Sequence, residues 1–330
     1  MISQFLKRRF EFVSISKYRA ELMGLAILGV MLGHLMNKTI QPFVLEHTVR
    51  LIHTYGFIFL SGFGLYYSFR KKSDVLPFYK KRFVRVYLPY LYISLIFFLL
   101  VFYKTRSVSD LFGHLTTIAY WYKGNYYSMW YIPISLFLYL IFPPIYHFLF
   151  DGKKCNPLYR MLLITAIVFV ILLLIQHFTP EYWEMEKIGF CKILIFPLGI
   201  YCGYLAQKNF SVSYLALIPF FLFSAILAVF MFKIDYDYLG FGRTLVGIPL
   251  AIITVDFMSS RIKKPLKAIC RFLGKYSLEL YILHLFINFT LISAFHVHKS
   301  ISMSTGIILA LLLCKPVHDI VNKLIPSSWK

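Results

Sequence analysis

A chain of 330 residues that is 59% hydrophobic, with a mean hydropathy of +0.69, carries more apolar surface than a water-soluble domain of that length can hide, so it reads as a polytopic membrane protein. The formal net charge of +21 would suggest nucleic acid in a soluble chain. Here the basic residues gather at the ends of apolar runs, where they report topology and contact with anionic membrane lipid, and no nucleic-acid partner is expected. The cysteines Cys155, Cys191, Cys202, Cys270 and Cys314 show no C-x-x-C spacing, so neither a disulfide framework nor a metal site is expected.

The first 19 residues, MISQFLKRRFEFVSISKYR, are basic and mixed, and no small-residue cleavage pattern follows the first apolar run, which is therefore expected to remain as a membrane span. Windows long enough to cross the hydrocarbon as helix fall near 20–37, 50–69, 87–104, 126–149, 160–177, 189–206, 212–232, 241–258, 272–295 and 301–321. The expected fold is all-α and integral to the membrane, a bundle of about ten transmembrane helices over 20–322, with a basic segment at 1–19 and a short tail at 323–330. Lys and Arg concentrate in alternate connections, with seven between Arg70 and Arg85 and six between Arg261 and Lys275. This asymmetry predicts that both termini are cytoplasmic and that the protein spans the cell (inner or plasma) membrane. The aromatic cluster 120-YWYKGNYYSMWY-131 and the acidic loop 180-PEYWEMEK-187 then belong to the outer face. The crowding of Pro143, Pro144 and Pro157 blurs the junction of the fourth and fifth windows.

The first span, 24-GLAILGVMLGHLMNK-38, carries His34 in its outer half. An ionisable group there costs roughly 2 kcal/mol or more, so it usually has a partner or a task. Gly29 and Gly33 make a G-x-x-x-G spacing that would seat His34 at a helix interface; the plainer reading is a histidine satisfied by a neighbouring hydroxyl or carbonyl. The second span has His53 near its outer end and Ser61-Gly62 near mid-membrane, where a ligand or another backbone can approach. It runs on into 78-FYKKRFVRVYLPYL-91, in which Arg82 and Arg85 are three apart and share a helix face; anchoring to lipid headgroups is the plainer reading of these cations. In the ninth span Ser277, Tyr281, His284 and Asn288 fall on one stripe. Such a stripe faces a cavity or another polar surface, because lipid offers no hydrogen bonds. No phosphate-binding loop, dinucleotide fingerprint, nucleophile elbow or zinc-peptidase pair occurs. What remains is histidine, hydroxyl and arginine chemistry: general-base catalysis on an alcohol, with cations holding a phosphorylated donor.

These motifs resemble the acyltransferase type 3 family of membrane O-acyltransferases, through G-L-A-I-L-x-V-x-L-G-H in the first span, H-x-x-x-F-x-F-L-S-G-F in the second, F-Y-K-K-R-F-x-R-V-x-x-P after it, M-W-Y-I beginning the fourth and L-G-K-x-S-x-x-x-Y-x-x-H in the ninth. The resemblance runs from about residue 16 to 322. It implies transfer of an acyl group, most often acetyl from acetyl-CoA, to a hydroxyl of a cell-surface polysaccharide or lipid-linked glycan. It matches His34 to the family's catalytic histidine, His53, Ser61 and Gly62 to its second-span residues, and Arg82 and Arg85 to the arginines that follow that span; the favoured reading then sets the phosphates of acyl-CoA against Arg82 and Arg85, with Lys80 or Lys81 beside them, and makes His34 the general base on the acceptor hydroxyl. Ser61, Tyr281 and His284 become candidates to orient the histidine or to hydrogen-bond the thioester oxygen. One departure stands out: the family often has a cation eleven positions before the histidine, where this chain has Met23, and Arg19 lies one helical turn earlier. A flippase or transporter for a lipid-linked sugar is the alternative from another class, although no internal repeat supports it. A membrane glycosyltransferase would want acidic residues, for which Glu181, Glu184 and Glu186 offer only a generic acidic stretch.

Overall fold

In the computed structural model the described residues are 9–36, 43–124, 129–152, 155–234 and 239–329. A short strand, β1 (Arg9–Glu11), and helix α1 (Val13–Lys17) precede α2 (Arg19–Leu35) and α3 (Phe43–Lys71). Next, α4 (Val75–Arg82) passes through a π-helical segment, Phe83–Tyr87, into α5 (Leu88–Thr105). The chain continues through α6 (Val108–Leu115), α7 (Tyr120–Lys123), α8 (Tyr131–Phe150), α9 (Pro157–Phe178), α10 (Pro180–Ile193) and α11 (Ile195–Gln207). After β2 (Ser211–Ser213) come α12 (Tyr214–Ile234), α13 (Leu239–Ser260), α14 (Lys264–Lys275), α15 (Ser277–Phe295) and α16 (Lys299–Leu324). Helix dominates because a chain of this apolarity must satisfy its backbone polar groups within each segment.

Each expected window overlaps a helix, but the boundaries move in informative ways. Among the described residues, six helices are long and apolar enough to cross a membrane: Val75–Thr105, Tyr131–Phe150, Pro157–Phe178, Pro180–Gln207, Ser277–Phe295 and Lys299–Leu324. The stretches Tyr214–Leu227 and Pro249–Ser260 are apolar but shorter. The ninth window breaks at Tyr276, between α14 and α15. The prolines at the fourth junction do not end α8, which continues through Pro143 and Pro144 to Phe150. Pro157 instead occupies the first turn of α9, where its missing N–H costs nothing, and Asn156 caps the helix by accepting from Leu158 N–H at 3.0 Å. The expected acidic loop is also helical: α10 begins at Pro180 and buries Trp183 and Glu186.

The basic segments come together at one end of the bundle. Strand β1 pairs antiparallel with β2, with Phe10 opposite Val212, and Arg9 reaches Ser211. Lys80 donates to the Ser328 carbonyl at 3.4 Å. Arg271 of α14 grips the buried Glu21 of α2 at 2.7 Å.

Helix α2 makes a close backbone contact at Gly24, outside the expected Gly29 and Gly33 spacing. A Cβ on Gly24 would run into the Cys270 carbonyl, and one on Gly274 into the Ala20 carbonyl, so two glycines facing opposite ways let α2 and α14 touch backbone to backbone. Because the obstacle is backbone, Gly24→Ala is expected to destabilise by about 1–3 kcal/mol. Thermal melting in detergent should register the loss, and an unchanged transition would mean that the helices are further apart than described.

Candidate active site

The segment expected to end the second span belongs to the next helix. Helix α3 stops at Lys71, three residues intervene, and α4 starts again at Val75. Arg82 ends α4 and Arg85 lies in the π turn at Phe83–Tyr87 that follows it, and the two interact. Arg82 turns inward: its Nη2 donates to Ser68 Oγ at 2.7 Å, its guanidinium sits 5.3 Å from the Phe78 ring centre, and its buried Nε has no hydrogen-bond partner among the described residues. Arg85 is exposed and lines a cavity of about 440 Å³. Lys81 is exposed beside them and interacts with both arginines.

Arg19 completes this cluster from α2. Its Nε donates to the Leu60 carbonyl at 3.3 Å, and its guanidinium occupies the space left by Gly64, where a Cβ would lie 2.6 Å from Nη2. Arg19 interacts with Tyr131, Tyr139, Arg85 and Arg82. Among the described residues no carboxylate pairs with Arg19, Lys81, Arg82 or Arg85; Glu21 is held by Arg271 and Glu279 by His318. Like charges gathered without a counter-charge form a ready anion site.

At the far end of α2, about 22 Å of helix rise from Arg19, His34 is half-buried and meets His284 of α15 edge to face, with ring centres 5.4 Å apart. His284 is fully buried. Its Nδ1 lies 2.7 Å from the Leu280 carbonyl, which makes Nδ1 the protonated nitrogen and Nε2 an acceptor; Nε2 has no hydrogen-bond partner among the described residues. Tyr281, one turn earlier, packs 6.1 Å from the His284 ring and 5.5 Å from the Tyr131 ring. Its hydroxyl accepts from the Tyr131 backbone N–H at 3.4 Å. Tyr131 in turn interacts with Ser61, Tyr139 and Arg19. Ring contacts and one hydrogen bond therefore connect His34 and His284 to Tyr281 and Tyr131, and Tyr131 interacts with Arg19 of the arginine cluster.

Of the expected site residues, His34, His284 and Tyr281 come together at one end of α2, Arg19, Arg82, Lys81 and Arg85 at the other, and Ser61 interacts with Tyr131 between them. Other expectations come out differently. The side chain of His53 lies outside the described residues, although its backbone is part of α3. Gly62 follows the expected alternative of a neighbouring backbone rather than a ligand: a Cβ there would lie 2.5 Å from the Phe196 carbonyl of α11. In the ninth-span stripe, Asn288 turns away from the histidines to α16, where the Ser302 hydroxyl is 2.8 Å from its side-chain oxygen. Tyr120, Met129, Trp130 and Tyr131, expected at the outer interface, are buried; residues 125–128 lie outside the described set. Tyr131 is the functional candidate that the aromatic-belt reading missed. Its one sequence signal was its place in the fourth-span motif M-W-Y-I.

The acyltransferase type 3 family, whose model is described as an acyltransferase domain, matches residues 22–315. The chain therefore belongs to this family of membrane acyltransferases, and the flippase alternative finds no support. No curated protein and no solved structure matches it.

Proposed function

We propose that this protein is an O-acyltransferase, most simply an O-acetyltransferase, that moves the acyl group of acyl-CoA to a hydroxyl of a cell-surface polysaccharide or lipid-linked glycan. It would act in the cell membrane with both termini in the cytoplasm. The observation that carries this reading is the contact of His34 with His284, connected through Tyr281 and Tyr131 to a cluster of guanidinium groups that has no carboxylate partner among the described residues. In the proposed reaction His34 removes the proton of the acceptor hydroxyl, whose oxygen attacks the thioester carbonyl; the C–S bond breaks, and the departing thiolate receives the proton. His284, with Nε2 held as an acceptor, orients the His34 ring. Tyr281 and Ser61 are placed to donate to the carbonyl oxygen as negative charge develops on it. Arg19, Arg82, Arg85 and Lys81 hold the phosphates of the donor, acetyl-CoA in the simplest case.

The test is incubation of the purified protein in detergent with radiolabelled acetyl-CoA. Slow release of CoA, accompanied by labelled product when a glycan acceptor is added, supports the reading, whereas no release with any acceptor overturns it. Tyr131→Phe probes the connection between the histidines and the guanidinium cluster. Removing only its hydroxyl is expected to slow transfer about tenfold, the scale of one lost hydrogen bond at about 1.4 kcal/mol. Melting should be near wild type, and an unchanged rate would remove Tyr131 from that connection.

A further inference from the structure

The cavity beside Arg85 is built from more than that arginine. Between the π turn and the last turns of α16 it is lined by Arg85, Pro89, Glu279, His318, Asn322 and Ile325, and holds about 440 Å³, within the range of small-molecule sites. His318 and Asn322 are one turn apart on α16 and share a face. Both are half-buried, whereas Glu279 is only 4% exposed. Glu279 Oε1 lies 2.7 Å from His318 Nδ1, and the His318 ring packs 5.1 Å from that of Tyr276. A carboxylate on Nδ1 holds the ring in place, and in the imidazolium form Nε2 also carries a proton to give to a second partner. Since Glu279 is thus engaged and nearly enclosed, the groups left to face a ligand are a guanidinium, an imidazole and an amide. Glu279 also precedes His284 by five residues on α15, about 7.5 Å along the helix.

We propose that this cavity seats the phosphate-bearing head of the acyl-CoA donor, and that His318 and Asn322 are donor-binding residues beside Arg85. As an imidazolium, with Nδ1–H donated to Glu279, His318 donates Nε2–H to one phosphate oxygen while the Arg85 guanidinium donates to others, and the Asn322 amide supplies a directional hydrogen bond that sets the orientation of the head. Glu279 is a positioning residue that acts through His318. The inference rests on the acyl-CoA reading and adds to it a location and two residues.

The experiment is calorimetric titration of CoA into the purified full-length protein and into His318→Ala and Asn322→Ala. CoA should bind the wild type, and each substitution should weaken binding tenfold or more, with the His318 effect shrinking as salt rises. Wild-type affinity in both variants would overturn this inference and leave the donor reading intact. A wild-type protein that binds no CoA would overturn both. If His318→Ala loses its melting transition because Glu279 is left unpaired, Asn322→Ala, which breaks no hydrogen bond among the described residues, decides the matter alone.

Discussion

His34→Ala is expected to reduce acyl transfer by about 10²–10⁴-fold, the contribution of a positioned general base, while the melting temperature in detergent stays close to that of the wild type. The two halves of this expectation have separate causes. His34 sits half-buried in the last turn of α2, so its removal opens little space inside the bundle. His284 differs, since it is fully enclosed; His284→Ala should both slow transfer and lower the melting temperature, because it leaves a cavity lined by packed helices. If the two rings act as one unit, the double variant should be scarcely slower than His34→Ala alone, as happens when residues share one catalytic step. Transfer of label from acetyl-CoA, measured alongside melting for all three variants, checks this. Residual activity above about a tenth in His34→Ala would assign the base elsewhere, and multiplicative losses in the double variant would mean that the rings work independently.

Much of the molecule was legible from its apolar runs, because a segment of that length and hydropathy has helix as its only economical conformation in lipid. Hydropathy does not, however, distinguish an aromatic residue at the membrane interface from one inside the bundle. Tyr131 looks like a belt residue in sequence, yet its backbone and ring contact Tyr281. A charged or acidic stretch likewise looks like a loop until its helix is seen to bury one face, as α10 buries Trp183 and Glu186. Which helix lies against which is also invisible to periodicity. Nothing in the spacing of Gly29 and Gly33 announced the backbone contact that α2 makes at Gly24 with the Cys270 and Gly274 turn of α14, about 250 residues away. The same limit explains Arg19. Counting from His34 puts the family's usual cation at Met23, and only the position of Gly64 on α3 reveals where the Arg19 side chain, from one turn earlier, comes to lie. His318 had no signal at all, since a lone histidine near the end of a span reads as an interface residue until Glu279 is found beside it.

The arginine cluster makes the other large effect, and its sign separates function from structure. Arg82 lies among cations: Arg19 and Arg85 both act on it, and among the described residues no carboxylate pairs with it. Mutual repulsion in such a group opposes folding, a cost retained where an anionic ligand repays it on binding. Arg82→Gln should therefore leave the empty protein as stable as the wild type or more so, despite losing the charge-assisted bond to Ser68, while weakening CoA binding by about a hundredfold, the scale of a lost bidentate guanidinium–phosphate contact. Arg82→Lys keeps the charge but not the planar fork, and should recover only part of that affinity. The readouts are calorimetric affinity for CoA and melting temperature with and without CoA. CoA should raise the wild-type melting temperature and barely move that of Arg82→Gln, because ligand stabilisation follows affinity. If Arg82 merely anchors the helix to anionic headgroups, the outcome inverts: Arg82→Lys binds CoA as the wild type does, since lipid attraction counts either cation alike, and CoA stabilises both variants fully.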